Sequence, residues 1–271
     1  MYQKALSNTG LTTIYIDGFA GSGEVPLSER QDGLFDEDVQ LVIAGSAERA
    51  MSIVPPFARY VFIDRRKACI EKLQENFGDH VNAGRTEYIV GDANDAIRTF
   101  CQKEDWRSRR AVVLLDPFGG QVEWATIEAI AKTKAIDLWY LFPAGLCVFR
   151  QIGSDGSVHH THEASITRIV GTEAWKSAFL TPSLQSDLFG DTGRQEKIVT
   201  PESAAAFMIE RLQSVFRGGV LDVMIPLGRH AYASYYLLFA WANPSPNAAA
   251  LARTLSKAAV KATDRKHGRL V

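Results

Sequence analysis

The chain has 271 residues, 46% hydrophobic and 23% charged, with a formal net charge of −1. That balance excludes a disordered or fibrous chain, and a net charge near zero excludes a global field drawing the whole molecule to nucleic acid. No stretch resembles a membrane span, and Met1-Tyr2-Gln3-Lys4 lacks an apolar signal core. The three cysteines (Cys69, Cys101, Cys147) form neither a disulfide pattern nor a Cys-x-x-Cys pair. They read as buried thiols in a reducing, cytoplasmic setting.

Thr12 to Ile16 is β-branched and aromatic without a breaker, which predicts a buried strand ended by Asp17. Gly18, Gly21 and Gly23 follow, allowing positive φ and close approach of a ligand. The polar run Glu24 to Asp38 reads as a loop, and Val39 to Ser52 as a helix stopped by Pro55-Pro56. Tyr60 to Asp64 is a second strand. Lys67 to Phe77 follows as a helix with Ile70, Leu73 and Phe77 on one face. Thr86 to Val90 is a third strand, ending in Gly91-Asp92-Ala93-Asn94 before a helix that carries Ile97 and Cys101. Arg110 to Asp116 is a fourth, closed by Pro117-Phe118-Gly119-Gly120, and Trp124, Ile127 and Ile130 mark the next helix. Ile136 to Phe142 is a fifth, closed by Pro143. This alternation predicts an α/β fold with a parallel sheet and helices on both faces.

Ala144 to Val199 breaks the pattern and reads as an inserted cap without strands, at the carboxyl edge of the sheet. Within it, Thr172 is placed to cap a short helix carrying Trp175 and Phe179. His159-His160-Thr161-His162, with Asp155 and Glu163 near, falls in a polar loop without a cysteine, so an exposed or substrate-touching loop is expected rather than a metal site. Thr200-Pro201 opens a helix to about Phe216. Val220 to Leu227 and Ala233 to Trp241, joined through Gly228-Arg229-His230, read as antiparallel strands, and Pro246 to about Thr263 as the last helix. The whole is expected to be one domain, 1–271, with inserts at about 24–45 and 144–199. The closing run Arg253, Lys257, Lys261, Arg265, Lys266 and Arg269 is either a phosphate-contacting tail or a solvated face.

Four acids, Asp17, Asp64, Asp92 and Asp116, close successive strands, and parallel strands bring such ends to one rim. After the second strand a carboxylate can accept both ribose hydroxyls of a nucleoside. After the third it can accept from an adenine amine. One such acid alone is better read as a helix cap; four in register point to a nucleoside site. Asp116-Pro117-Phe118-Gly119 is the sharpest feature. The lone pair of an exocyclic base amine is delocalised into its ring. A carboxylate and a proline carbonyl that both accept its N–H bonds localise that pair, and an adjacent aromatic ring stacks on a base turned out of its helix. Rate would then come from positioning and electrostatic support. No Gly-x-Ser-x-Gly elbow and no Walker lysine points to a hydrolase or an NTPase.

The series Tyr15-Ile16-Asp17-Gly18-Phe19-Ala20-Gly21-Ser22-Gly23, Phe62-Ile63-Asp64, Gly91-Asp92-Ala93-Asn94 and Leu115-Asp116-Pro117-Phe118-Gly119 resembles the ordered motifs of class I S-adenosylmethionine-dependent methyltransferases. Nearly the whole chain is similar to the three-Cys-motif partner (TcmP) family, above all over Asp116 to Phe142 with Trp124, Ala131-Lys132-Thr133, Asp137 and Phe142-Pro143. The resemblance implies a Rossmann-like α/β fold, a seven-stranded, mostly parallel sheet whose last strand is antiparallel. It implies S-adenosylmethionine as cofactor, held by Asp17, Phe19, Ala20, Gly21, Gly23, Asp64, Asp92 and Ala93. It also implies a partner protein with a three-cysteine motif, similar to radical S-adenosylmethionine enzymes. Asp-Pro-Phe-Gly is similar to the tetrapeptide of tRNA guanine-N2 dimethyltransferases and, more loosely, to the Asp-Pro-Pro-Tyr of adenine and cytosine amino-methyltransferases.

Two departures stand out. From Gly23 to Asp64 is 41 positions, about twice the roughly 20 of a dinucleotide fingerprint. The winged-helix segment of some family members is not expected after the last predicted helix. The expected activity is methyl transfer to an exocyclic amine of a nucleobase in nucleic acid, with Asp116, Pro117 and Phe118 at the amine. Two alternatives stay open: a non-catalytic, cofactor-binding partner protein, and a nicotinamide-dependent oxidoreductase. The latter leaves Asp116-Pro117-Phe118 unexplained.

Overall fold

The computed structural model describes residues 3, 6, 9–23, 45–183, 195–227 and 235–254. The predicted loop from Glu24 and the first residues of the predicted Val39 helix lie outside these, as do the Gly228-Arg229-His230 connection and the tail beyond 254.

Strands β1 (Thr12–Asp17), β2 (Arg59–Asp64), β3 (Thr86–Val90), β4 (Arg109–Leu115) and β5 (Ile136–Phe142) are parallel neighbours in the order β3-β2-β1-β4-β5. Their boundaries follow the apolar runs read from the sequence to within a residue. Beyond β5 lies β10 (Tyr235–Trp241), antiparallel to it, with Tyr236 opposite Phe142 and Trp241 opposite Asp137. The outer strand is split into β8 (Gly219–Val220) and β9 (Ile225–Leu227), both antiparallel to β10. Val220 faces Ala240 and Ile225 faces Leu237, five steps against three, so two residues bulge out between them. Pro226, which has no N–H to donate, sits on this edge strand.

One sheet face carries Ile14, Ile16, Val61, Ile63, Val113, Leu115, Leu138, Tyr140 and Phe142 in the largest core. Against it pack α3 (Ala93–Lys103), α4 (Trp124–Lys132) and α8 (Pro201–Val215). Helix α8 starts as the sequence predicts: Thr200 and Ser203 form a reciprocal capping box, with Pro201 in the first turn. The other face carries Tyr15, Tyr60, Phe62 and Leu114 beneath α1 (Ser46–Met51) and α2 (Lys67–Phe77). Each fully buried aliphatic or aromatic side chain stabilises the fold by about 1.5–3 kcal/mol.

Several expectations change. The segment 144–199 is not a strandless cap. It holds α5 (Ala144–Cys147), α6 (His160–Val170), α7 (Trp175–Phe179) and a small hairpin, β6 (Leu180–Pro182) with β7 (Gln195–Lys197). Ile166, Ile169, Val170, Trp175 and Phe179 are buried in the main core, so the segment extends the helical layer on α4 and α8. The histidine run is not a loop either. His159 caps α6, its ring accepting from the Thr161 N–H, and His160 and His162 lie in the first turn. Thr172 accepts from the Ala174 N–H just ahead of α7, two residues before the cap position itself. Cys101 and Cys147 are buried as expected, but Cys69 is only half-buried. Among the described residues no helix is long and apolar enough to cross a membrane.

Candidate active site

Because β1 to β4 are parallel, Asp17, Asp64, Asp92 and Asp116 all come to the carboxyl edge of the sheet. The strand order reverses direction between β1 and β4, which opens a crevice where α/β sheets place their ligands. Asp17 and Asp116 flank that crevice.

The glycine turn after β1 is fixed from three sides. Gly18 N–H bonds Leu114 O at 3.0 Å, Ala20 N–H bonds Ile63 O at 2.9 Å, and Gly21 N–H bonds Asp64 Oδ2 at 3.0 Å. Gly21 (φ 61°) and Gly23 (φ 74°) take the left-handed conformation the sequence led one to expect. Gly18 does not; it is needed for close approach, since a Cβ there would lie 2.9 Å from Leu115 Cδ2 and 3.1 Å from Ile97 Cδ1. Among the described residues an added Cβ at Gly21 would meet nothing within 4 Å. Phe19 packs partly against the main core, and Ala20 is buried on the other face with Tyr15 and Phe62.

Asp17 is buried. Its carboxylate accepts from Phe19 N–H (3.2 Å) and Ser46 Oγ (2.9 Å), with Tyr15 Oη at a long 3.5 Å. Burial pushes its pKa up to about 6, against the pull of these donors. Asp64 binds backbone with both oxygens, Gly21 N–H on one and Arg66 N–H on the other at 2.8 Å. Oδ1 also accepts from Arg66 Nε at 3.4 Å, so Oδ2 is the oxygen that keeps a second lone pair for a hydroxyl. Asp92 does cap a helix: its Oδ1 accepts from Asn94 N–H (2.9 Å) and Asp95 N–H (3.3 Å) at the start of α3. It is exposed, and among the described residues Oδ2 takes no hydrogen bond. Ala93 beside it is buried.

Asp116 follows the last residue of β4 and is half-buried. Among the described residues no donor bonds its carboxylate. Burial, and then the negative charge of Asp17, push its pKa up to about 7. Pro117 is buried, and Phe118 is 69% exposed, its N–H held by Gln121 Oε1 at 3.1 Å. The structure thus gathers Asp17, Asp64, Asp92 and the Asp116-Pro117-Phe118 turn on one edge. It sets Asp137 apart: that acid faces a hollow of about 360 Å³ at the opposite, amino edge, beside Arg110 and Asn243.

Sequence reasoning missed the residues that hold the site. Asn94 is buried and binds the chain after the Asp116 turn three times: Nδ2 to Gln121 O (2.9 Å), and Oδ1 from Glu123 N–H (2.9 Å) and Thr126 Oγ1 (2.9 Å). Its only signal was its place two residues after Asp92. Ser46 gave none, because its bond to Asp17 spans 29 residues. Replacing Asn94 with alanine leaves the buried Thr126 hydroxyl and the partly buried Gln121 carbonyl and Glu123 N–H without these bonds, and is expected to cost about 1–3 kcal/mol. Urea unfolding should show a lower midpoint at unchanged slope.

The strand order 3-2-1-4-5 with an antiparallel strand beyond β5 is the Rossmann-like fold of class I methyltransferases. No family model and no curated protein matches the chain. Among solved structures it is similar to the CurJ carbon methyltransferase, at 14% identity over 89% of this chain and 52% of that one, with a TM-score of 0.36. It is similar to an rRNA methylase from Streptococcus thermophilus, at 13% identity over 73% of this chain and 95% of that one (TM-score 0.32). A conserved hypothetical protein of Streptococcus pyogenes is 18% identical over 58% of this chain and 84% of that one (TM-score 0.32). Topology and strand register, rather than these scores, define the fold.

Proposed function

We propose that the protein methylates an exocyclic amine of a nucleobase in nucleic acid, with S-adenosylmethionine as donor. One observation carries the reading: an acid at the switch point of the sheet, Asp116, has a carboxylate that no described residue bonds, on a turn braced by Asn94. A half-buried carboxylate with no donor from the described residues is open to a ligand N–H.

The residues suit the donor. Among the described residues Gly21 faces open space, Asp64 Oδ2 beside it keeps a lone pair for a ribose hydroxyl, and Asp92 has an oxygen left for an amine. When bound, S-adenosylmethionine supplies an electrophilic methyl group on a sulfonium. The chain supplies the rest. Asp116 and the Pro117 carbonyl accept the two amine N–H bonds, and Phe118 offers a ring to a base turned out of its helix. As nitrogen gains a methyl group it sheds one proton, which Asp116, with its raised pKa, is suited to take.

Asp116 works only when ionised. The free protein's kcat/KM is therefore expected to rise tenfold per pH unit below about pH 7 and to level off above it. Initial rates from about pH 5.5 to about 8.5 check this; a flat profile would remove Asp116 from the chemistry. The deciding test of the function is incubation with labelled donor and RNA, DNA and protein fractions, followed by location of the label. Cofactor binding with no labelled product would favour the other reading, a cofactor-binding partner of a three-Cys-motif enzyme.

A further inference from the structure

Tyr235, the first residue of β10, has no part in the site as described so far. Along β10 the side chains alternate: Tyr236, Leu238 and Ala240 join the main core, while Tyr235 and Leu237 cluster with Leu141 on the opposite face. On β4, Val113 and Leu115 join the main core, and Val112 and Leu114 pack with Tyr15 on the opposite face. Asp116 comes next in that alternation. Asp116 and Tyr235 therefore rise on one side of the sheet, at its carboxyl edge.

Register sets their separation. Leu115 faces Tyr140 on β5, and Phe142 faces Tyr236 on β10, so Tyr235 lies two strands from Asp116 and slightly further toward the edge. Two strand spacings are about 10 Å. A planar molecule hydrogen-bonded to both would span that gap over Leu141, which the intervening strand β5 carries on the same face. Tyr235 is only 5% exposed, and among the described residues its hydroxyl, like the Asp116 carboxylate, makes no hydrogen bond. Burial and the charge of Asp116 push the phenol up to about 12, so it keeps its proton and remains a donor. One side of the gap accepts and the other donates.

We propose that Asp116 and Tyr235 read adjacent atoms of one base: Asp116 accepts from the amine, and the Tyr235 hydroxyl donates to the unprotonated ring nitrogen beside it. Adenine and cytosine present that edge on their pairing side, whereas guanine carries a protonated nitrogen there and offers its unprotonated N3 only on the sugar side of the amine, so the edge read is the pairing-side one. Tyr235 would thus be a specificity residue of the acceptor pocket. The inference rests on the methyl-transfer reading above.

The test uses labelled S-adenosylmethionine with single-stranded RNA and DNA oligonucleotides of random sequence, digested afterwards to nucleosides. Label is expected in adenosine or cytidine, and Tyr235→Phe is expected to lower kcat/KM about ten- to a hundredfold. Oligonucleotides carrying 1-deazaadenine or 3-deazacytosine, which lack the ring nitrogen, should slow the wild-type protein by a similar factor. They should slow Tyr235→Phe little further. Phenylalanine keeps the apolar contacts with Leu141, Ile225 and Leu227, and unchanged cofactor affinity confirms an intact fold. Label on guanine, full activity of Tyr235→Phe, or two penalties that simply multiply would overturn the assignment of Tyr235 while leaving methyl transfer standing. No label on any base would remove both.

Discussion

Asp116→Asn is expected to lower methyl transfer by about two to four orders of magnitude, the usual worth of a positioned acid–base or electrostatic group. Asparagine keeps the shape but loses the charge and the capacity to take a proton. Cofactor affinity should change little, because Asp64, Asp92 and the glycine turn are untouched. Stability should move the other way. The folded-state pKa of Asp116 is raised to about 7, so between the unfolded value near 4 and about 7 the folded chain holds more protons. Stability contributed by this group is full at low pH and is lost as pH rises through that window. Asp17, raised to about 6, acts in the same sense. At neutral pH, Asp116→Asn removes a half-buried, partly ionised acid and should gain about 1 kcal/mol, or about 2–4 °C in Tm. Calorimetry beside single-turnover rates reads both effects. Activity lost together with stability would mean that Asp116 serves the fold instead.

Trp175→Ala is expected to cost about 3–5 kcal/mol, enough to unfold much of the population of a marginally stable domain. Trp175 is fully buried in the main core, near Phe179, and its Nε1–H bonds Thr167 Oγ1 at 2.9 Å. A detachable cap would behave differently: losing its tryptophan would spare global unfolding and alter only substrate turnover. Urea titration followed by circular dichroism separates the outcomes. A midpoint unchanged from wild type would return 144–199 to the status of an appendage.

The strands were legible because each is a short, unbroken apolar run ended by an acid, a proline or a glycine. The parallel order follows from helices intervening between them. The four acids were legible as a set for the same reason: they mark strand ends, and parallel strands share an edge. Function within the set was not. Asp92 and Asp64 both bind backbone N–H groups, and sequence cannot say which carboxylate oxygen is left for a ligand. The segment 144–199 was misread because its apolar residues are split between the last turns of α6 (Ile166, Ile169, Val170), behind a polar histidine-rich start, and the five-residue α7 (Trp175, Phe179). Their partners on α4 and α8 lie far off in the chain. The outer strand was read as continuous because Val220 to Leu227 is mostly apolar, and a two-residue bulge leaves no mark in hydropathy. Contacts over long separations, such as Ser46 with Asp17, leave no local trace at all.

The Asn94 brace joins two stretches that would handle opposite ends of the reaction. Its own backbone N–H is held by Asp92, on the nucleoside side, while its side chain grips the chain just after Asp116 and Phe118, on the acceptor side. On the proposed function, donor and acceptor would therefore be gauged by a single amide rather than by two separate loops. The distance a methyl group would travel would in that sense be built into one residue, and a change there would detune alignment before it loosened the grip on either molecule.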